Sequence, residues 1–384
     1  MFIILSLLLG SICLGIYIRK DDIEVKTNET IESIIARDTF CKSISNTNNV
    51  PEEIIEVIIN YIDDYYRSLY DLELLDTSSY FSNEIDGQIS NYAIKLCVES
   101  RKLYDFDFRF DDAYYILNIK ECNRNNGEYT INFLEDDYFK FRFLNGISSE
   151  VYDIENTMTI KKIDGTYKIT SFDKAQGYYM IFSENRNNSS ISEIYDFYYD
   201  RLSRVISEEN ANKQIALNSK YAPSKSYDIK YDRNGAVDYV ASYIKSRNEN
   251  YYDFSDEGGN CQNLASQALI NGGMLMDESG DYCWYYIDHL DYTSSWVQVS
   301  SFYDYCLYND GRGLVTDINS NIYYAEPGDL IQVGISSISH TTVVSKVIDG
   351  HILLSSNSID MKDFPLEGYT YPVRKLIKIL GSNK

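Results

Sequence analysis

A chain of 384 residues is long for one core, and a hydrophobic content of 44% is ample for packed interiors, so two domains are expected after any targeting segment. A formal net charge of −23 at pH 7 and a pI near 4.5 repel phosphate backbones, and no basic patch offsets them, which excludes a nucleic-acid partner. The seven cysteines include no CxxC pair and no His–Cys cluster at metal spacing, which excludes a zinc site, and nothing in the sequence asks for another metal or a cofactor.

The first eighteen residues, MFIILSLLLGSICLGIYI, hold no charged side chain and run directly into Arg19-Lys20-Asp21-Asp22, as an export signal or a single membrane anchor does. Residues 1–20 are read as a signal peptide or membrane anchor, so the rest of the chain is expected outside the cytoplasm, membrane-anchored or secreted. The stretch lacks a basic start and an A-x-A cleavage site, which favours the anchor; Arg19 and Lys20 on its downstream side oppose that orientation. Cys13 follows Ile12 where a lipoprotein box needs a small residue, so it is not a lipidation site.

Behind Pro51, Ile54, Ile55, Ile58, Tyr61, Ile62, Tyr65 and Leu69 recur at helical spacing, and a second helical stretch covers Gly87 to Leu103. The pattern then changes to alternation in YYILNIKEC, EYTINFLEDDYFKFRFL and SEVYDIENTMTIKKIDGTYKITSFD, with turn signals at Asn125-Asn126-Gly127 and Asp164-Gly165. Helices followed by antiparallel strands define an α+β accessory domain over residues 45–185, similar in order to an NTF2-like or cystatin-like cone and without a catalytic set. Residues 186–226, Asn- and Ser-rich around one helix, read as a linker to a second domain over residues 227–384.

The second domain opens with YDRNGAVDYVASYIKSRN, which places Ala236, Val237, Val240, Ala241 and Ile244 on one helical face. In the following GGNCQNLASQALINGG, Asn260 as N-cap and Asn271-Gly272-Gly273 as C-terminal cap bracket a helix whose stripe is Leu264, Ala265, Ala268 and Leu269, so Cys261 falls at the first helical position. There the unpaired N–H groups and the positive end of the dipole favour a nucleophilic thiolate, and Gly258 and Gly259 allow a backbone or substrate to approach. On this segment alone, a small buried hydrophobe is an equal reading of Cys261. Trp296, at helical spacing with Val299 and Phe302, reads as core, and a Cys283–Cys306 disulfide stays open.

A thiolate needs a base, and there are only three histidines, His289, His340 and His351. EPGDLIQVGISSISHTTVVSKVIDGHILLSSNSID reads as a strand after a Pro-Gly turn and then two strands joined at Asp349-Gly350. With those two residues as the loop, Thr342 faces Asn357 and His340 lies on the same sheet face as Asn357, as its diagonal neighbour. Asp360 falls opposite Ser339 on the other face, His351 lies exposed beside the turn, and His289 has no comparable partner. Asn357 is therefore the expected orienter of His340.

Cysteine at a helix start, histidine on one strand and asparagine on the next is the order of the papain-like cysteine hydrolases. From about Tyr231 to Leu380 the motifs YDRNGAVDYVASY, GGNCQNLASQALINGG, SSWVQVSSFYDY, PGDLIQ, SHTTVVSKV and LLSSNSIDMKDFPL resemble the putative amidase domain family. The segments GDLIQ and SHTTVVSKVIDGHILLSSN are also similar to cell-wall cysteine hydrolases of the NlpC and CHAP types. The resemblance implies a papain-like α+β domain that hydrolyses an amide bond. The chain departs from the family at Asn357, where histidine is common, and at Asn260, where acids are common. Together with the apolar first eighteen residues, these readings lead to the expectation of an extracytoplasmic cysteine amidase or peptidase acting on a peptide or peptidoglycan-type amide, with Cys261 as nucleophile, His340 as base and Asn357 as orienter. A non-catalytic surface protein that binds wall peptides, and an acyl transferase, are the rival readings.

Overall fold

The fold is that of a computed structural model, which describes residues 39–384 except Ser224 and Asp310. The segment read as a signal or anchor, with Cys13, lies outside the described residues; among those described, no helix is long and apolar enough to cross a membrane.

Strand β1 (Cys41–Ser45) precedes helices α1 (Glu52–Asp71) and α2 (Glu84–Arg101). α1 starts behind Pro51, carries Glu52 and Glu53 in its first turn where acids offset the dipole, and buries the isoleucine and tyrosine stripe read from its spacing. α2 begins earlier than its periodicity suggests because the Asn83 side chain accepts the Asp86 N–H, an N-cap bond that fixes the start. Strands β2 (Phe110–Asn125), β3 (Glu128–Phe141), β4 (Ser148–Ile163) and β5 (Thr166–Lys174) follow as an antiparallel meander. Its two tight turns, Asn126-Gly127 and Asp164-Gly165, have both residues at positive φ (49° and 81°, 49° and 86°), a backbone that Asn, Asp and Gly adopt at least cost and that suits the twist of a hairpin.

Helix α3 (Gly177–Asn185) leads to α4 (Ile191–Asn218), which occupies most of the stretch read as a linker. A capping box between Ser190 and Glu193 starts α4, and its buried face, including Tyr195, Tyr198, Leu202 and Ile206, packs on α2. The remaining elements are β6 (Ile229–Lys230), α5 (Arg233–Tyr243), α6 (Cys261–Asn271), β7 (Tyr286–Asp288), β8 (Asp291–Tyr292), α7 (Ser294–Val297), α8 (Val299–Tyr308), β9 (Gly313–Asp317), β10 (Leu330–Gly334), β11 (His340–Ile348), β12 (His351–Ser356), β13 (Asp360–Pro365) and β14 (Val373–Asn383).

The chain is thus a mixed α+β fold with one large sheet, in the order β1-β2-β3-β4-β13-β12-β11-β10-β14-β6, with β5 on β4 and β9 on β14. β4 is the joint between the two halves: its later residues, Asn156–Ile163, pair with β5, and its earlier residues, Glu150–Tyr152, pair with β13. Because side chains alternate across a strand, β10, β11 and β14 feed two cores. Ile331, Val333, Val344 and Leu376 join the core beneath the amino-terminal helices, whereas Leu330, Val343, Ile377 and Ile379 pack with Ala236, Val240, Leu264 and Ala265 of α5 and α6. The six described cysteines are free thiols, so Cys283 and Cys306 do not pair.

Candidate active site

Cys261 opens α6, as the flanking Asn and Gly residues imply. Asn260 does not cap through its side chain, however. Its Oδ1 accepts the Phe254 N–H at 3.2 Å and the Asn263 amide at 2.7 Å, while its own N–H donates to the Ser358 hydroxyl. Gln262, Asn263, Ser266 and Gln267 of α6 are buried, and their polar atoms find partners. Gln262 Oε1 accepts from the Thr341 hydroxyl at 2.7 Å, Asn263 Oδ1 from the Trp296 indole at 2.8 Å, and Ser266 Oγ from the Trp284 indole at 3.0 Å. Trp296 is core, as read, though Gln298 separates its short helix α7 from α8.

The Cys261 side chain is 8% exposed. Burial pushes its thiol above the usual range, and the N–H groups of Thr341, Gln262 and Cys261 itself, with the Ser358 hydroxyl, pull it back only in part. Burial thus works against the thiolate that the helix terminus favours.

His340 starts β11. Counting back from the Asp349-Gly350 turn, Ile348, Val347 and Lys346 oppose His351, Ile352 and Leu353, as a two-residue loop dictates. The ladder then slips at Ser345, so that Val344 opposes Leu354 and Val343 opposes Ser355. A one-residue slip exchanges the faces of every later position. Thr342 therefore does not face Asn357, and the residue sharing the His340 face is Ser356, whose Oγ lies 3.0 Å from His340 Nε2. The Ser345 hydroxyl holds the bulge by donating to the Leu353 carbonyl at 3.1 Å and to Asp363 Oδ1 at 2.7 Å. Asn357 instead lines a niche with Tyr252, Asn260 and Asn263, and neither atom of its amide has a hydrogen-bond partner among the described residues. His340 is half-buried, and desolvation holds its imidazole down to about 4.

The other histidines stand apart. His289 is exposed over the Tyr252 ring. His351, expected to be exposed, is buried between Phe106 and Phe143 from the amino-terminal half, with Nδ1 2.7 Å from Glu367 Oε1.

His340 opens on a cavity of about 100 Å³. One wall is Met361, Tyr369 and Tyr371; the other, from α1, α2 and β3, includes Tyr65, Arg101 and Asp137. The Tyr369 phenol is pushed up by burial, by Tyr371 and in smaller part by the Cys261 thiol. The amino-terminal half, which had offered no catalytic set, thus walls the space in front of the histidine. The available signal was INFLEDDYFKF, whose period-two pattern sends Glu135 and Asp137 inward between Phe133 and Phe139. A larger groove of about 490 Å³ beside Glu155, Asp173 and Arg186 contains neither Cys261 nor His340. Among the described residues, no group of three or more His, Cys, Asp or Glu side chains is arranged to hold a metal ion.

Residues 230–379 match the family described as the putative amidase domain. The matched segment runs from β6 to β14 and so contains Cys261, Ser356 and His340. The uncharacterised protein YhbB of Bacillus subtilis strain 168 is 31% identical over 141 residues, covering 35% of this chain and 43% of that protein. The chain therefore spans less than half the length of the curated relative it matches. No solved structure matches the chain.

Proposed function

We propose that this chain hydrolyses an amide bond with Cys261 as nucleophile and His340 as base, Ser356 holding the imidazole. The observation that carries this is a convergence at one end of the β11–β12 pair. Cys261 begins α6 there, the N–H of Thr341 bears on its thiol, and the adjacent His340 is tied to Ser356. The amide class is supported by the family match, and the order of nucleophile and base is that of papain-like cysteine hydrolases.

Burial raises the thiol and lowers the imidazole to about 4, which disfavours charge on both members of the pair. Attack and proton transfer are then coupled. Nε2 is engaged by Ser356, which leaves Nδ1 to accept the thiol proton as sulfur bonds the carbonyl carbon and the carbonyl electron pair moves to oxygen. The N–H groups at the start of α6 face the developing oxyanion. The proton passes to the amide nitrogen as the C–N bond breaks, and water then hydrolyses the thioester. Peptide or peptidoglycan-type amides outside the cytoplasm are the substrates we favour, a preference supported by the apolar first eighteen residues.

The test is to quench the full chain with acid during turnover of a peptidoglycan-derived peptide and map it by mass spectrometry. An acyl adduct on the peptide containing Cys261 is expected; turnover with an adduct elsewhere, or none, rejects the mechanism.

Two further results follow. A histidine whose charged form is disfavoured keeps its basic form well below pH 6.5, so the acid limb of kcat/KM is expected near pH 4. An acid limb at pH 6 to 7 would instead mean that the imidazole keeps its ordinary basicity during turnover. Ser356→Ala removes one hydrogen bond worth about 1 kcal/mol and is expected to lower kcat about fivefold to tenfold. Asn357→Ala is expected to leave kcat unchanged, and the opposite ranking would return Asn357 to the site.

A further inference from the structure

Arg101, the last residue of α2, and Asp137, in β3, both line the cavity that His340 opens on, at 7% and 0% exposure. Neither is matched. Arg101 Nη1 and Asp137 Oδ1 have no hydrogen-bond partner among the described residues, and no ion pair of either group is found there. The nearby Lys174 is taken by Glu135, at 2.8 and 2.9 Å. The Arg101 guanidinium lies over the rings of Phe108, Phe110 and Phe141 at 5.0, 5.3 and 5.8 Å, which supports the cation without supplying an acceptor. Gln176 donates to Asp137 Oδ2 at 3.4 Å and leaves its own Oε1 unpartnered in the same cavity.

Burying an unpaired charge is costly, and buried polar atoms are normally satisfied. A fold that keeps an unpaired cation and an unpaired acid along one cavity is explained when a ligand brings the complementary groups. The cavity limits that ligand's size. At roughly 10–15 Å³ per water-sized group, about 100 Å³ holds some seven to ten such groups, enough for a small amino-acid unit. Burial and the Glu135 charge hold the Asp137 carboxyl well above the usual range.

We propose that this cavity binds the zwitterionic end of an amino-acid-bearing amide, its carboxylate on Arg101 and its amino group on Asp137 and Gln176. The proposal rests on the hydrolase reading and names the substrate class of that site: the two charged anchors hold the amide against Cys261 and His340. A substrate lacking either charge leaves one anchor buried and unmatched, which is a source of discrimination.

Binding is tested apart from turnover, using the full chain with Cys261→Ala and calorimetric titration of four probes: L-alanine, D-alanine, N-acetylalanine and alanine methyl ester. At least one alanine enantiomer is expected to bind tenfold or more tighter than both blocked derivatives. Arg101→Gln and Asp137→Asn, checked for folding by circular dichroism and melting, are expected to erase that difference, with partial recovery in Arg101→Lys. The proposal is overturned if no probe binds or if the blocked derivatives bind as well as alanine; this comparison uses the unaltered cavity and does not depend on the variants folding. Alanine binding with no amide hydrolysis by the wild type would keep this site and remove the hydrolase reading. Equal kcat/KM for amides with and without the two charges would do the reverse.

Discussion

Cys261→Ala is expected to lower kcat for amide hydrolysis by a factor on the order of 10⁴ or more, because the thioester route disappears and only binding and oxyanion stabilisation remain. His340→Ala should fall to a similar level. The sharper result is the double variant. Nucleophile and base act as a unit, so removing both is expected to cost no more than removing either, whereas independent contributions would multiply. The fold should survive the first substitution: a buried cysteine is a small hydrophobe, and replacing sulfur by hydrogen at an 8% exposed position costs about 1–2 kcal/mol. Activity within tenfold of wild type for a folded Cys261→Ala chain would end the cysteine mechanism. Multiplicative losses in the double variant would separate His340 from it.

What could be read in advance was local. Asn126-Gly127, Asp164-Gly165 and Asp349-Gly350 announce their turns because both residues of each pair must take positive φ, a demand that few residue types meet. Cys261 was placed at a helix start by the glycines and asparagines around it, and His340 was singled out by the scarcity of histidine. What was hidden is tertiary. The slip at Ser345 depends on the Leu353 carbonyl and the Asp363 carboxylate, the latter beyond the hairpin, and nothing near Ser345 marks it. Yet this one residue replaces Asn357 by Ser356 beside the imidazole. His351 was read as exposed from its place beside a turn, but Phe106 and Phe143 from the other half of the chain cover it. The two partners of β4 belong to the same class of information, since a strand does not declare which neighbours share its edge.

Asp329→Asn is expected to destabilise the fold by about 3–5 kcal/mol, the cost of breaking a buried ion cluster from one side. The Asp329 carboxylate is 0% exposed and fully used. Oδ1 accepts from Arg233 Nη1 at 2.8 Å and the Ile379 N–H at 2.9 Å; Oδ2 accepts from Lys378 Nζ at 3.2 Å and the Glu326 N–H at 2.8 Å. It thereby ties the start of α5, the centre of β14 and the turn into β10, the strand that pairs with β11 and so fixes the position of His340. An asparagine keeps the shape but removes the charge and one acceptor, leaving Lys378, 1% exposed, with Glu326, the Tyr324 carbonyl and the Tyr221 ring. Glu326 is the internal control. Its side chain is 56% exposed, so Glu326→Gln should cost no more than about 1 kcal/mol although it contacts the same lysine. Urea unfolding of the two variants and the wild type measures the difference. Because Asp329 lies outside the cavity, kcat per folded molecule should hold in both; equal loss of stability from the two substitutions would mean that the lysine, not the buried carboxylate, organises this corner of the domain.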